Sequence, residues 1–114
     1  MPIQNEEVEN LVHQKVHLEI LRKTLMWDRY HLQHTKMRRI YMQLIDHLIE
    51  TISEELRKIK EKLNVYEARI IQEEQREKDR FVIYRHQGYL FEKQYFNPII
   101  KMECEKLLKR FLKI

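Results

Sequence analysis

The sequence has very few of the residues that interrupt a helix. Its 114 residues include one glycine and two prolines, and neither type occurs between Ile3 and Gln87. It has one cysteine, so no disulfide can form within the chain. It also lacks any run of about 20 uncharged apolar residues, which excludes a membrane-spanning helix. The acidic first nine residues do not have the layout of a signal peptide. We therefore expect a cytoplasmic protein, without a membrane partner, built mainly from long helices.

The composition predicts a single folded domain over residues 1–114. Hydrophobic residues make up 43% of the chain and charged residues 35%, which is enough apolar surface for one core. The formal net charge is +4, with lysine and arginine mixed among glutamates along most of the sequence. The C-terminal segment is more basic, with only Glu103 and Glu105 beside its cations. These cations are Lys101, Lys106, Lys109, Arg110 and Lys113.

The clearest pattern is an apolar stripe with the 3.6-residue period of an amphipathic helix. Its members are Met37, Tyr41, Leu44, Leu48, Ile52, Leu56, Ile59 and Leu63. This stripe predicts a helix over residues 37–63. Before it, Asn5 followed by two glutamates predicts the start of a first helix that extends to about residue 27 or 30. The apolar residues of that first helix cover a wide arc, so we expect it to contact more than one neighbour.

After residue 64 the helical period ends and strand-like runs begin. Residues 65–71 and 80–84 favour two strands of a β-hairpin, and the alternative is a broken helix within an all-α helical bundle. Residues 89–96 are compatible with a strand or a short helix. Asn97 followed by Pro98 predicts the cap and first residue of a last helix. The expected fold is therefore α+β: a two-helix N-terminal hairpin, a β-hairpin and a C-terminal helix.

A short stretch of the chain carries a resemblance to a known group. Tyr84-Arg85, Gly88-Tyr89 and Tyr95-Phe96-Asn97-Pro98 precede a basic helix. Together with the order of elements, this stretch resembles the YhjD-like group of small, uncharacterised Firmicutes proteins. The resemblance implies a bacterial cytoplasmic protein. It implies no known activity and assigns no functional residue.

Candidate catalytic and metal-binding residues are few. His13 and His17 are four residues apart on a helix, a spacing that can place two imidazoles on one metal, but they lie opposite the apolar arc and are expected to be exposed. Cys104 lies on the apolar stripe of the last helix, which is typical of a structural thiol; as a nucleophile it would need a base such as His86. With one glycine there is no phosphate-binding loop. We expect no enzyme activity, no catalytic residues, no metal and no cofactor.

Aromatic residues concentrate between residues 81 and 96, interleaved with basic residues. They are Phe81, Tyr84, Tyr89, Phe91, Tyr95 and Phe96. The first interpretation is that these rings fill the core, with an apolar face left on each side of the hairpin. A homodimer that pairs hairpin edges or helices would cover the surplus.

The sequence therefore predicts a small non-enzymatic interaction protein that self-associates, with an unknown protein partner. The alternative is a nucleic-acid-binding or regulatory protein that uses aromatic rings and phosphate-binding cations. Its candidate residues are Arg85, Tyr89, Lys101, Lys106, Lys109, Arg110 and Lys113.

Overall fold

The computed structural model describes residues 4–114. Along the chain, two long helices precede a three-stranded antiparallel sheet and a third helix follows it. The elements are α1 (Glu6–His31), α2 (Arg38–Val65), β1 (Ala68–Gln75), β2 (Asp79–His86), β3 (Tyr89–Phe96) and α3 (Asn97–Leu112). A short 3-10 turn, Leu32–His34, joins α1 to α2. The predicted α+β class is confirmed, and residues 89–96 add a third strand to the expected hairpin.

The first helix begins where the sequence predicts and contacts several elements. The Asn5 side chain accepts a hydrogen bond from the Val8 N–H at 3.1 Å, which satisfies one of the free N–H groups of the first turn. α1 then contacts α2, α3 and β1, as its wide apolar arc predicts. Val8, Val12 and Val16 are fully buried, so α1 forms the centre of the core.

The apolar stripe of α2 divides into a covered half and an uncovered half. From Leu48 to Leu63 its members are buried, with Ile52 fully inaccessible. Towards the start of the helix the same stripe is open to solvent, where Tyr41 is 44% exposed and Leu44 is 47% exposed. The packed layers therefore end part-way along the helical hairpin.

The sheet has one covered face and one uncovered face. The strand order is β1-β2-β3, and Val82, Tyr84 and Tyr95 on the inner face are buried in the core. The other face, here called the outer sheet face, has only exposed side chains apart from the half-buried Phe81 and Ile83 and the buried Asp79 at its end. Its further members are Arg69, Gln72, Glu74, Arg85, Leu90, Glu92, Gln94 and Phe96.

Two element boundaries differ from the sequence prediction. Val65 is the last residue of α2 rather than the start of a strand, and β1 begins at Ala68. Asn97 is the first residue of α3 and Phe96 occupies the cap position, so Asn97 does not cap the helix. Its side chain instead donates to the Glu77 carbonyl at 3.0 Å and accepts from Gln75 Nε2 at 2.9 Å. These bonds tie the start of α3 to the β1–β2 turn.

Candidate interaction surfaces

The two histidines of α1 belong to a polar cluster beneath α3. His17 is only 1% exposed, so the expectation that it faces solvent was wrong; His13 is half-exposed. The Tyr95 ring covers His17, with ring centroids 5.1 Å apart. A helical-wheel projection of α1 could not predict this contact, because Tyr95 belongs to β3. His17 Nδ1 donates to the His13 carbonyl at 2.7 Å, while His17 Nε2 and the Tyr95 hydroxyl have no hydrogen-bond partner among the described residues.

Burial favours the neutral forms of two ionisable groups in this cluster, His17 and Cys104. Burial lowers the pKa of His17 and raises the pKa of the Cys104 thiol to about 11. Cys104 Sγ donates to the His17 carbonyl at 3.7 Å. A nucleophilic cysteine needs the thiolate, so this environment opposes that role. Between residues 4 and 114, no group of three or more His, Cys, Asp or Glu side chains could hold a metal ion.

The basic residues of the last helix are exposed, but two of them have carboxylate partners. Arg110 donates to Glu55 at 2.8 Å, and Lys106 Nζ lies 3.9 Å from Glu103. Lys113 takes a left-handed conformation at the C-terminal cap, and Lys101 and Lys109 extend into solvent. Lys109 and Arg110 lie in the last turn of α3, where positive charge at the negative end of the helix dipole also stabilises the helix.

The two sheet residues of the nucleic-acid hypothesis are not on the same face. Arg85 lies on the outer sheet face directly opposite Arg69 of β1. Tyr89 follows the Gln87-Gly88 turn and is paired with His86 on the opposite face, where its ring is 55% exposed. The seven predicted residues are thus divided between two faces of the sheet and the surface of α3.

The outer sheet face carries exposed apolar side chains among charges of both signs. Leu90 and Phe96 are 59% and 53% exposed. Around them, the strands carry Arg69, Arg85, Glu74 and Glu92. Arg76, from the turn after β1, lies over the Phe81 ring at 4.5 Å and 3.6 Å from Glu74. α3 also carries two exposed apolar side chains, Ile99 and Met102.

The uncovered end of the helical hairpin, residues 22–45, is strongly basic and is here called the hairpin tip. It contains six lysines and arginines and one acidic residue, Asp28, for a net charge of +5. Because the whole chain carries +4, the remaining residues carry a net charge of −1. Seven large apolar side chains of the tip are exposed: Met26, Trp27, Tyr30, Met37, Ile40, Tyr41 and Leu44.

The hairpin tip is the surface that sequence reasoning missed. Its signal was present, because Asp28 is the only acidic residue between Glu19 and Asp46. The cations are spread over the end of one helix, a turn and the start of the next, so they do not form a basic run along the chain. Only the folding of α1 against α2 brings them to one end of the molecule.

A groove lies between the end of the sheet and the part of α1 that leads to the hairpin tip. Its volume is about 670 Å³, and its lining includes Arg22, Lys23, Trp27, Gln75 and Arg80. The Trp27 ring is 66% exposed and lies against the His31 ring with centroids 4.5 Å apart.

Comparison with known proteins gives a family but no activity. The model of the YhjD protein family matches residues 2–114. This chain belongs to the YhjD family. The match confirms the resemblance carried by residues 84–98. No curated protein and no solved structure matches the chain. Over residues 4–114, none of the helices combines the length and apolar character that crossing a membrane requires.

Proposed function

We propose that this YhjD-family protein is a non-enzymatic, bacterial cytoplasmic interaction protein that self-associates through its outer sheet face. The observation that carries the proposal is an uncovered sheet face on which Leu90 and Phe96 are more than half exposed. Exposed apolar patches on small soluble proteins are typical of interaction sites. The neutral His17 and the protonated Cys104 thiol support a structural role for the polar cluster rather than a catalytic one.

A second copy is the occupant that the charges of this face favour. Two copies related by a two-fold axis present the same surface to each other. The outer sheet face allows this because it presents charges of both signs, so that Arg85 of one copy can meet Glu92 of the other. The hairpin tip cannot pair in the same way, because two tips would bring together two net charges of +5.

The size of the face sets the strength of the dimer. Three strands of eight residues span roughly 14 Å by 27 Å, or on the order of 380 Å² for each copy. A standard stable interface buries about 800 Å² on each partner. We therefore expect a weak dimer whose population depends on protein concentration, rather than an obligate one.

Sedimentation equilibrium over about 1–300 μM protein tests this proposal, since that range brackets micromolar dissociation constants. Wild-type protein is expected to change from monomer to dimer across the range. Leu90→Glu, which adds a charge at the most exposed apolar side chain of this face, is expected to remain monomeric.

Ile40→Glu provides the matched control, because Ile40 is 55% exposed but lies on the hairpin tip. It is expected to dimerise like the wild type. A monomer at every concentration, or loss of the dimer in Ile40→Glu but not in Leu90→Glu, would contradict the proposal. Circular dichroism of each variant separates loss of the dimer from loss of the fold.

A further inference from the structure

The cations of the hairpin tip are available to a partner. Arg29 is held by Asp46 through two hydrogen bonds of 2.6 and 3.1 Å. By contrast, none of the other five basic residues of the tip forms an ion pair with a carboxylate in the described part of the chain. Four of these five are exposed: Lys23, Lys36, Arg38 and Arg39.

The position of two of these cations is unfavourable for the helix itself. Arg38 and Arg39 occupy the first turn of α2, which contains no acidic residue and whose cap position, Met37, forms no side-chain hydrogen bond. The positive end of a helix dipole normally favours acidic side chains. The placement of two arginines there makes the tip more strongly attractive to anions at a cost in helix stability.

Aromatic rings lie among these cations. Trp27 and Tyr30 are each 66% exposed, and His31 lies between them, with ring centroids 4.5 Å from Trp27 and 5.3 Å from Tyr30. Tyr41 on α2 is 44% exposed. Such rings give flat surfaces on which nucleobases stack, and each base–aromatic stack contributes about 1–3 kcal/mol.

We propose that the hairpin tip binds single-stranded nucleic acid. Its four free cations neutralise phosphates, while the rings of Trp27, Tyr30 and Tyr41 stack on bases. The groove beside Trp27, with Arg22 and Lys23 on its wall, gives the strand a path from the tip towards the sheet. The exposed aliphatic side chains of the tip pack against the apolar faces of bases and sugars.

The dimensions of the tip favour a single strand over a duplex. Two packed helices are roughly 20 Å across, because each helix with its side chains is about 10 Å wide. The major groove of B-form DNA is about 12 Å wide and admits one helix. A flexible single strand can follow the curved end of the hairpin, and its unstacked bases can reach the rings.

This proposal places the nucleic-acid site on the hairpin tip, whereas the sequence analysis placed its candidate residues on the sheet and on α3. The α3 cations Lys106 and Arg110 have carboxylate partners, whereas Arg38 and Arg39 of the tip do not. The proposal does not depend on the dimer, because the tip and the outer sheet face share no residue.

Trp27 is the only tryptophan in the chain and therefore reports directly on this site. The experiment is a titration of full-length protein with a 12-nucleotide thymidine oligomer, followed by Trp27 emission. Stacking of a base on the indole is expected to quench this emission. Neutralisation of about four phosphates predicts a slope of about −2.8 in log affinity against log salt, or about 50-fold weaker binding at 200 mM than at 50 mM salt.

Two charge-reversal variants locate the site. Arg38→Glu combined with Arg39→Glu changes the net charge of the tip by −4 and is expected to weaken binding at least tenfold, with a salt slope shallower by about 1.4. Lys109→Glu combined with Lys113→Glu makes the same change of charge on α3 and is expected to alter affinity by less than about twofold. The equal change in total charge separates a local site from general attraction.

Three outcomes would overturn the proposal. The first is the absence of quenching at 50 mM salt. The second is loss of binding in the α3 variant with retention in the tip variant, which would return the site to α3. The third is a blue shift of Trp27 emission with phosphatidylglycerol vesicles but no response to the oligomer, which would assign the tip to an anionic lipid surface.

Discussion

The two halves of α2 share one apolar stripe but have different environments. Leu48 is 4% exposed and Leu44, one turn earlier on the same stripe, is 47% exposed. The packed half contributes to the core, whereas the open half contributes to the hairpin tip. The comparison shows that the period of a stripe identifies a helix and its apolar side, but not how much of that side the rest of the chain can cover.

Element lengths explain where the cover ends. α2 has 28 residues and is about 42 Å long, whereas strands of eight residues extend only about 27 Å. α3, with 16 residues, is about 24 Å long. No layer built from these elements can reach both ends of the hairpin. About ten residues of each long helix are therefore left without a third layer, which corresponds to the hairpin tip.

The largest expected difference between the halves is in stability. Leu48→Ala removes a buried side chain and is expected to lower the free energy of unfolding by about 2–5 kcal/mol. Leu44→Ala is expected to change it by no more than about 0.5 kcal/mol, because that side chain is half exposed. Urea unfolding of both variants checks this. Equal losses of stability would mean that the tip is packed as firmly as the core.

The stability of the packed half is also expected to depend on pH, through His17. Burial lowers the His17 pKa in the folded state below its unfolded value of 6.5, so the unfolded chain binds the proton more readily. Stability contributed by neutral His17 is fully present above pH 6.5 and is lost as the pH falls through and below that value. Thermal unfolding from about pH 7.5 to about pH 5.5, the range in which histidine titrates, measures this effect.

One histidine substitution in the packed half and one in the hairpin tip separate the contribution of His17 from that of an exposed histidine. His17→Phe is expected to reduce the pH dependence of the melting temperature, while His34→Phe, at an exposed position in the hairpin tip, leaves it unchanged. The cluster also contains His13 and Glu103, whose nearest side-chain atoms are 3.7 Å apart, and Tyr95 and Cys104. An unaltered pH profile in His17→Phe would contradict this role of His17.

The smallest expected effect is a gain of stability at the tip. Arg38→Glu combined with Arg39→Glu replaces two cations in the first turn of α2 with acidic residues that favour the helix dipole. Each exposed charge of this kind contributes about 0.3–1 kcal/mol at low salt. We therefore expect a slightly higher melting temperature together with weaker oligonucleotide binding. A lower melting temperature would indicate that these arginines stabilise the fold.

Much of the fold could be predicted from local sequence signals. The stripe of α2, the Asn5 cap of α1, and the change of period after residue 64 depend on neighbouring residues, and each predicted the correct type of element. The turn between β2 and β3 also has a local signal, because Gln87 and Gly88 adopt positive φ values of 51° and 83°, a conformation that favours glycine and that two-residue hairpin turns require. These features need no knowledge of distant contacts.

The surfaces could not be predicted as fully, because they depend on contacts between distant parts of the chain. His17 faces away from the apolar arc of α1, and it is buried by contacts with distant residues such as Tyr95, 78 positions later, and Cys104. Similarly, the basic residues of the hairpin tip form no run in sequence and gather only when α1 and α2 fold together. The α3 lysines were easier to find because they lie within one short segment of the sequence, although Glu55 and Glu103 pair with two of that helix's cations.

The most direct test of this account asks whether the two surfaces act independently and by different forces. Sedimentation velocity of the protein mixed with a labelled thymidine oligomer, at low and at high salt, measures both associations in one sample. We predict that high salt releases the oligomer but leaves the dimer intact, since one association depends on phosphate charge and the other on apolar burial. Retention of the oligomer at high salt, or loss of the dimer together with it, would contradict the account.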